Sequence, residues 1–161
     1  MNKKLISAKN IKILGVSIGI ESRAVLLALK LNKARWYRIP KCISFVLHTR
    51  DHGDIQFNVF GDFYFDGRSG PWCVDWFEPN LGSLNKRIAW LIHDLLGYAT
   101  YFDFKTTNEI LRQLLILAGD SYPKAYVVKV FVGATHSWFG WPEEGSKFYA
   151  NVGKFEIKRL I

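Results

Sequence analysis

What this sequence holds little of sets the first limits. Its two cysteines, Cys42 and Cys73, are too few for a disulfide framework and match no zinc-ligand spacing. Two buried thiols in a reducing compartment are therefore expected. Long apolar runs are missing: none approaches the roughly 18 residues of a membrane-spanning helix. The stretch after Lys3 and Lys4 is cut by Lys12, Glu21 and Arg23, so a secretory signal is at best weak and a soluble chain is expected. Acid is missing from the front of the chain. Residues 1–41 hold ten lysines and arginines against the single acid Glu21, whereas the rest holds twelve against thirteen. The net charge of +8 is thus an N-terminal property. Such a leader suits an arm that meets nucleic acid, a membrane surface or an acidic partner protein. A charged segment packed on the body is the plainer alternative. There is also no phosphate-cradling loop, since GVSIGI lacks the Lys/Ser signature, and no G-x-S-x-G nucleophile turn.

What is there reads as an ordinary globular chain. Its 161 residues, 49% hydrophobic and 22% charged, suffice for a core without staples. Residues 13–20 (ILGVSIGI) partly alternate, as a short strand would, and 22–33 (SRAVLLALKLNK) read as a short helix. CISFVLHT and IQFNVFGDFYF read as two strands around the polar turn TRDHGD, with Gly53 supplying the turn chemistry. Ile55, Phe57 and Val59 share one face of the second strand. Phe63 and Phe65 continue the alternation past Gly61, so that strand is expected to be long or bent. Three helices should follow the Gly/Pro-rich loop 66–82. The first is capped by Ser83, stops at Gly97 and has a core stripe of Leu84, Ile88, Leu91, Ile92 and Leu95. The second starts at a capping box of Thr106 and Glu109 and ends near Gly119. The third opens with Ser121 and Pro123 and runs to about Phe139. KFEIKRLI should close the chain as a strand. The expectation is an α+β fold, an antiparallel hairpin or small sheet packed with a three-helix C-terminal half. Residues 1–41 would form a basic arm and 42–161 a single domain.

The chemistry-bearing residues concentrate in GPWCVDWFEPNLGSLNKRIAWLIHDLL, residues 70–96. His93 and Asp94 adjoin on the first helix, at the borders of its core stripe, and Asp75 stands in the loop before it. A histidine can act as base or metal ligand while a carboxylate orients it or binds a cation. Adjacent helical residues point about 100° apart, however, so both side chains reach one atom only if the helix lies beside it. The structural alternative ties His93 to loop backbone and leaves Asp94 solvated or ion-paired. His48 and His52, with Asp51 and Asp54, flank the hairpin turn, where a solvated polar turn is favoured over a metal. His136 reads as a partly exposed structural histidine. Trp72, Trp76 and Phe77 could stack on sugars or bases, but such side chains more often pin a loop to its domain.

The order of these pieces resembles a family of small bacteriophage and prophage proteins, domain of unknown function 1353. That family carries a T-D-x-x-S-x-P segment, an H-D-x-L-Y helix, and a helix opened by a polar residue and Asp. VDWFEP matches the first through Asp75 and Pro79, with Val74 and Glu78 at the Thr and Ser positions. HDLLGY matches the second through His93, Asp94 and Leu96 or Tyr98, shifted by one or two places. The family's next Asp falls near Asn108. The resemblance spans roughly residues 55–140 and leaves the basic leader outside. It implies a phage or prophage origin and a shared location for Asp75, His93 and Asp94, but it supplies no reaction.

Two functions remain in view. One is a virion, assembly or accessory protein, in the virion or host cytoplasm. Its partners would be other phage proteins and, through residues 1–41, nucleic acid or a neighbouring subunit. The other is a hydrolase, metal-assisted or not, with Asp75, His93 and Asp94 catalytic and with His93 and Asp94 as ligands of a divalent metal.

Overall fold

The structure, a computed structural model, describes residues 13–18, 29–31, 36–39, 42–50, 52–65, 84–139 and 153–160. Among the described residues the fold is α+β, with antiparallel sheets and three helices. It divides into a sheet unit, Lys12–Gly67 with Gly145–Ile161, and a helical unit, Met1–Ile11 with Arg68–Glu144.

In the sheet unit, β1 (Ile13–Ile18), β4 (Ile43–Thr49), β5 (Gly53–Val59) and β7 (Phe155–Leu160) form a sheet in the order β1-β4-β5-β7. Every pair in it is antiparallel. Strand periodicity sends alternate side chains to opposite faces. Ile43, Phe45 and Leu47 of β4 and Ile55, Phe57 and Val59 of β5 accordingly form the buried face. Phe45 and Phe57 are direct cross-strand partners whose rings stack at 5.1 Å, which fixes the register. The opposite face is polar. Ser44 Oγ donates to Asn58 Oδ1 at 2.8 Å, and Gln56 Nε2 donates to the same oxygen at 3.0 Å. The turn closes through Thr49, whose hydroxyl donates to the Gly53 carbonyl at 2.7 Å and accepts from the His52 amide at 3.2 Å. Gly53 takes φ 71°, the left-handed conformation that glycine adopts freely.

Three sequence expectations for this unit need correction. The second strand is not one long element: β5 ends at Val59, Phe60 is exposed, and Asp62 turns at φ 60°. Phe63–Phe65 then forms β6 in a separate sheet, ordered β2-β3-β6 with β2 (Leu29–Leu31) and β3 (Trp36–Ile39). The leader is also no free arm where it is described. β1 pairs with β4, while β2 and β3 pair with each other and β3 with β6. The described strands of this segment, β1, β2 and β3, belong to the sheet unit. Leu29–Leu31 is strand and not helix, because its backbone pairs with Trp36–Arg38. Residues 22–28 lie outside the described residues.

The helical unit contains α1 (Leu84–Tyr98), α2 (Phe104–Leu117) and α3 (Tyr122–Phe139). Residues 88–97 of α1 are buried without a break, so this helix is enclosed on every side. It runs through Gly97 instead of stopping there. Its end is a Schellman motif: the Thr100 amide donates to the Gly97 carbonyl and the Tyr101 amide to that of Leu96. Thr100, at φ 44°, occupies the left-handed position that glycine usually fills. The same motif ends α2, where the Gly119 amide donates to the Ile116 carbonyl and that of Asp120 to Leu115, with Gly119 at φ 106°. The start of α2 differs from expectation. Asp103 is the cap, its Oδ1 accepting from the Thr106 amide at 2.7 Å. Thr106 is fully buried one turn into the helix, and Glu109 faces other partners. The helix from Tyr122 to Phe139 agrees with the sequence reading. The Ser83 cap of α1 lies outside the described residues.

Candidate functional site

The polar residues in the helical core define the site. A helix enclosed on every side leaves His93 and Asp94 no route to water, and both are nearly fully buried, at 2% and 4% exposure. Burying an imidazole and a carboxylate is costly unless each finds hydrogen-bond partners. The main partner comes from α2. Asn108, itself 2% exposed, places Oδ1 2.9 Å from His93 Nε2, an ordinary bond length for an N–H donating to oxygen. On its other side His93 Nδ1 lies 3.4 Å from Asp94 Oδ1. That longer distance follows from helical geometry, since adjacent side chains diverge by about 100°. The amide contact across helices is therefore the firm one, and the His–Asp contact the loose one.

Both ring nitrogens face oxygens. A neutral imidazole has one N–H, so it cannot donate in both directions. The arrangement is satisfied at both ends by an imidazolium flanked by the Asp94 carboxylate and the Asn108 carbonyl. Turning the Asn108 amide over satisfies it equally, with Nδ2 donating to Nε2 and Nδ1–H donating to Asp94. In either form His93 is held in one orientation. Gly133 of α3 lies against the far side of the network: a Cβ there would sit 3.6 Å from Asn108 Nδ2. Asn108 thus stands where three helices meet around a polar centre. Trp90, one turn before His93, sets its ring edge-on to the imidazole at 5.9 Å and 78°. Its Nε1 is buried without an acceptor, a donor worth about 1–3 kcal/mol of desolvation.

Of the predicted site residues, the structure brings His93 and Asp94 into contact and adds Asn108 to them. Asp75 lies outside the described residues, as do Trp72, Trp76, Phe77 and Cys73 and the side chain of His136. The reading of His93 and Asp94 as border positions is corrected: both are inside the core, because α1 has no solvent face from Ile88 to Gly97. As metal ligands they supply two donors, with Nε2 engaged by Asn108. Among the described residues no group of three or more His, Cys, Asp or Glu side chains forms a cation site. At the hairpin, His48 Nδ1 pairs with Asp54 Oδ1 at 2.8 Å on partly exposed side chains, as a polar turn should. Cys42 is a free and exposed thiol, not a buried one.

Two ionic clusters escaped the sequence reading. Glu109 of α2 accepts from Lys129 Nζ of α3 at 2.6 Å, from Gln113 Nε2 at 3.0 Å, and from Arg112. Burial pushes its carboxyl up, but the bonds from Arg112, Lys129 and Gln113 outweigh it and bring the pKa down to about 2. Arg112 in turn lies over the Tyr122 ring at 5.0 Å. The second cluster joins Lys86 of α1 to the buried Asp120 at 2.6 Å, with Lys124 of α3 at 3.2 Å. Lys86 and Asp120 are 34 positions apart, so no local pattern announces the pair.

Comparison with protein families, with curated proteins and with solved structures finds no match. No helix among the described residues is long and apolar enough to cross a membrane.

Proposed function

We propose that this chain is a phage- or prophage-encoded virion, assembly or accessory protein in which Asp94, His93 and Asn108 form a structural lock. The phage origin rests on the resemblance carried by Asp75, Pro79, His93 and Asp94. The observation that carries the structural reading is the burial of His93 against Asn108. His93 is 2% exposed with Nε2 committed to Asn108, so neither solvent nor substrate meets that nitrogen without a rearrangement of what encloses it. A base or ligand in use needs an open coordination or proton-transfer position.

The surface also supports a contact role. Tyr122, Tyr126 and Val130 lie at successive helical turns on α3 and are each half or more exposed. Exposed apolar rows of that kind mark protein contact surfaces. The basic residues 1–41 provide the electrostatic face toward nucleic acid or a neighbouring phage protein. Within this segment Lys30 and Arg38 stand on paired strands, β2 and β3.

The hydrolase reading draws on one observation, the orphaned Trp90 Nε1 beside the His93 ring, where a substrate oxygen would find a donor. Metal analysis of the purified full chain beside its His93→Ala variant separates the two. The structural reading predicts no stoichiometric metal that the substitution removes. One divalent ion per chain, lost with His93, would contradict it.

A further inference from the structure

The C-terminal strand β7 ends the four-stranded sheet, and among the described residues β5 is its one neighbour. Its surroundings are open: Lys154, Glu156, Lys158, Arg159 and Leu160 are all exposed. Which backbone groups face outward follows from the ladder. The Phe60 amide donates to the Lys154 carbonyl at 3.0 Å, so residues 60 and 154 are a hydrogen-bonded pair in the antiparallel pattern. Such pairs alternate, and the register pairs Asn58 with Glu156 and Gln56 with Lys158. The even-numbered residues of β7 therefore bond inward to β5. Phe155, Ile157 and Arg159 point their N–H and C=O groups away from the sheet.

An outward row of this kind is a template for another strand. Of the devices that usually block one, proline and a bulge are absent, since β7 contains no proline and its register with β5 runs unbroken from Asp54–Leu160 to Val59–Phe155, while charged side chains are present. Charge then selects the occupant. For two copies of β7 to pair antiparallel about a twofold axis normal to the sheet, opposed residues must share a face, and the outward residues must form the bonded pairs. Three central registers meet those conditions. Centring on Glu156 opposes Glu156 to itself, and centring on Lys158 opposes Lys158 to itself; like charges directly opposed are unfavourable. Centring on Ile157 opposes Glu156 to the second copy's Lys158 twice over. These fall at the non-bonded positions, where Cα atoms approach most closely, at about 4.5 Å. The same register sets Phe155 opposite Arg159 of the second copy, an aromatic against a cation. Within one chain Lys158 Nζ already reaches Glu156 Oε2 at 3.0 Å, so the pairing exchanges that contact for its intermolecular equivalent.

We infer that β7 is a self-pairing edge, through which two copies of this chain join their sheets in the order β1-β4-β5-β7-β7-β5-β4-β1 with Ile157 on the twofold axis. The interface is isologous, so it closes at two copies and does not propagate. It is independent of the His93 network and of the phage reading.

Sedimentation velocity of the full chain over a concentration series is the test, with circular dichroism confirming that each variant folds. The wild type is expected to show a concentration-dependent dimer. Glu156→Lys turns both ion pairs into Lys–Lys oppositions and should weaken dimerisation about tenfold or more. The exchange variant Glu156→Lys with Lys158→Glu should restore it. Arg159→Pro removes an outward N–H without touching the ladder to β5, and should also yield monomer. A wild type monomeric at every concentration reached would overturn the inference. So would a dimer indifferent to both Glu156→Lys and Arg159→Pro.

Discussion

At the scale of single residues, backbone conformation and buried polarity decide the outcomes. Thr100 ends α1 at φ 44°, where a β-branched side chain crowds its own backbone. Left-handed conformation costs a non-glycine residue about 1–2 kcal/mol. Thr100→Gly should recover most of that, less the bond from its hydroxyl to the Ala99 carbonyl. A rise in denaturation midpoint is expected, amounting to about 1 kcal/mol. Asn108 presents the opposite case. Asn108→Ala leaves His93 Nε2 buried without its 2.9 Å partner, and should lower stability by about 2–3 kcal/mol in urea titration. A surface-like effect of a few tenths would show that water fills the gap. The position was legible in the sequence through resemblance alone: an asparagine on an amphipathic helix gives no local sign that it faces inward.

Between elements, ion pairs and caps set how the helices hold one another. Glu109 bridges α2 to Lys129 on α3, with its folded pKa near 2 against an ordinary 4.5. A depressed carboxyl contributes stability above its unfolded pKa and loses it as pH falls toward the folded one. Wild type should therefore exceed Glu109→Gln by about 1–2 kcal/mol at neutral pH, after discounting for partial exposure. The advantage should shrink as pH falls from about 4.5 to about 2. Thermal melts of both proteins across that window check it, and a constant difference would contradict the assignment. Asp103→Ala should cost about 1 kcal/mol through loss of the α2 cap. The capping box expected at Thr106 and Glu109 shows how sequence and structure diverge. The spacing is correct for a box, yet Asp103 stands three residues earlier and accepts from the Thr106 amide, so the helix begins there. The β4–β5 hairpin, by contrast, was readable because alternation and turn chemistry agree at every residue. The break at Phe60–Asp62 was not, since Phe63 and Phe65 keep the alternating pattern while their pairing moves to another sheet.

For the whole molecule, charge asymmetry is the leading fact. Ten of the twenty-two basic side chains lie in residues 1–41, against one acid. If this segment contacts nucleic acid, binding to duplex DNA should weaken steeply with salt through counterion release. Replacing Lys3, Lys4, Lys9 and Lys12 by glutamine should flatten the log–log salt slope by about 0.9 for each phosphate contact removed. An unchanged slope would move the contact elsewhere on the chain. The sequence showed this asymmetry plainly. ILGVSIGI was readable as a short strand from its partial alternation, whereas LKL was read within a helix because three residues are too few for their pairing to be seen locally.

The central claim is that His93 and Asn108 lock α1 to α2 as structure. A double-mutant cycle measures this most directly: urea stability of wild type, His93→Ala, Asn108→Ala and the double variant. The account predicts that each single substitution destabilises the fold. The coupling between them should be about 1–2 kcal/mol, because the second deletion removes a partner already lost. A catalytic residue kept at the expense of stability behaves otherwise. A His93→Ala variant that is as stable as wild type or more so, with no coupling to Asn108, would contradict the structural lock.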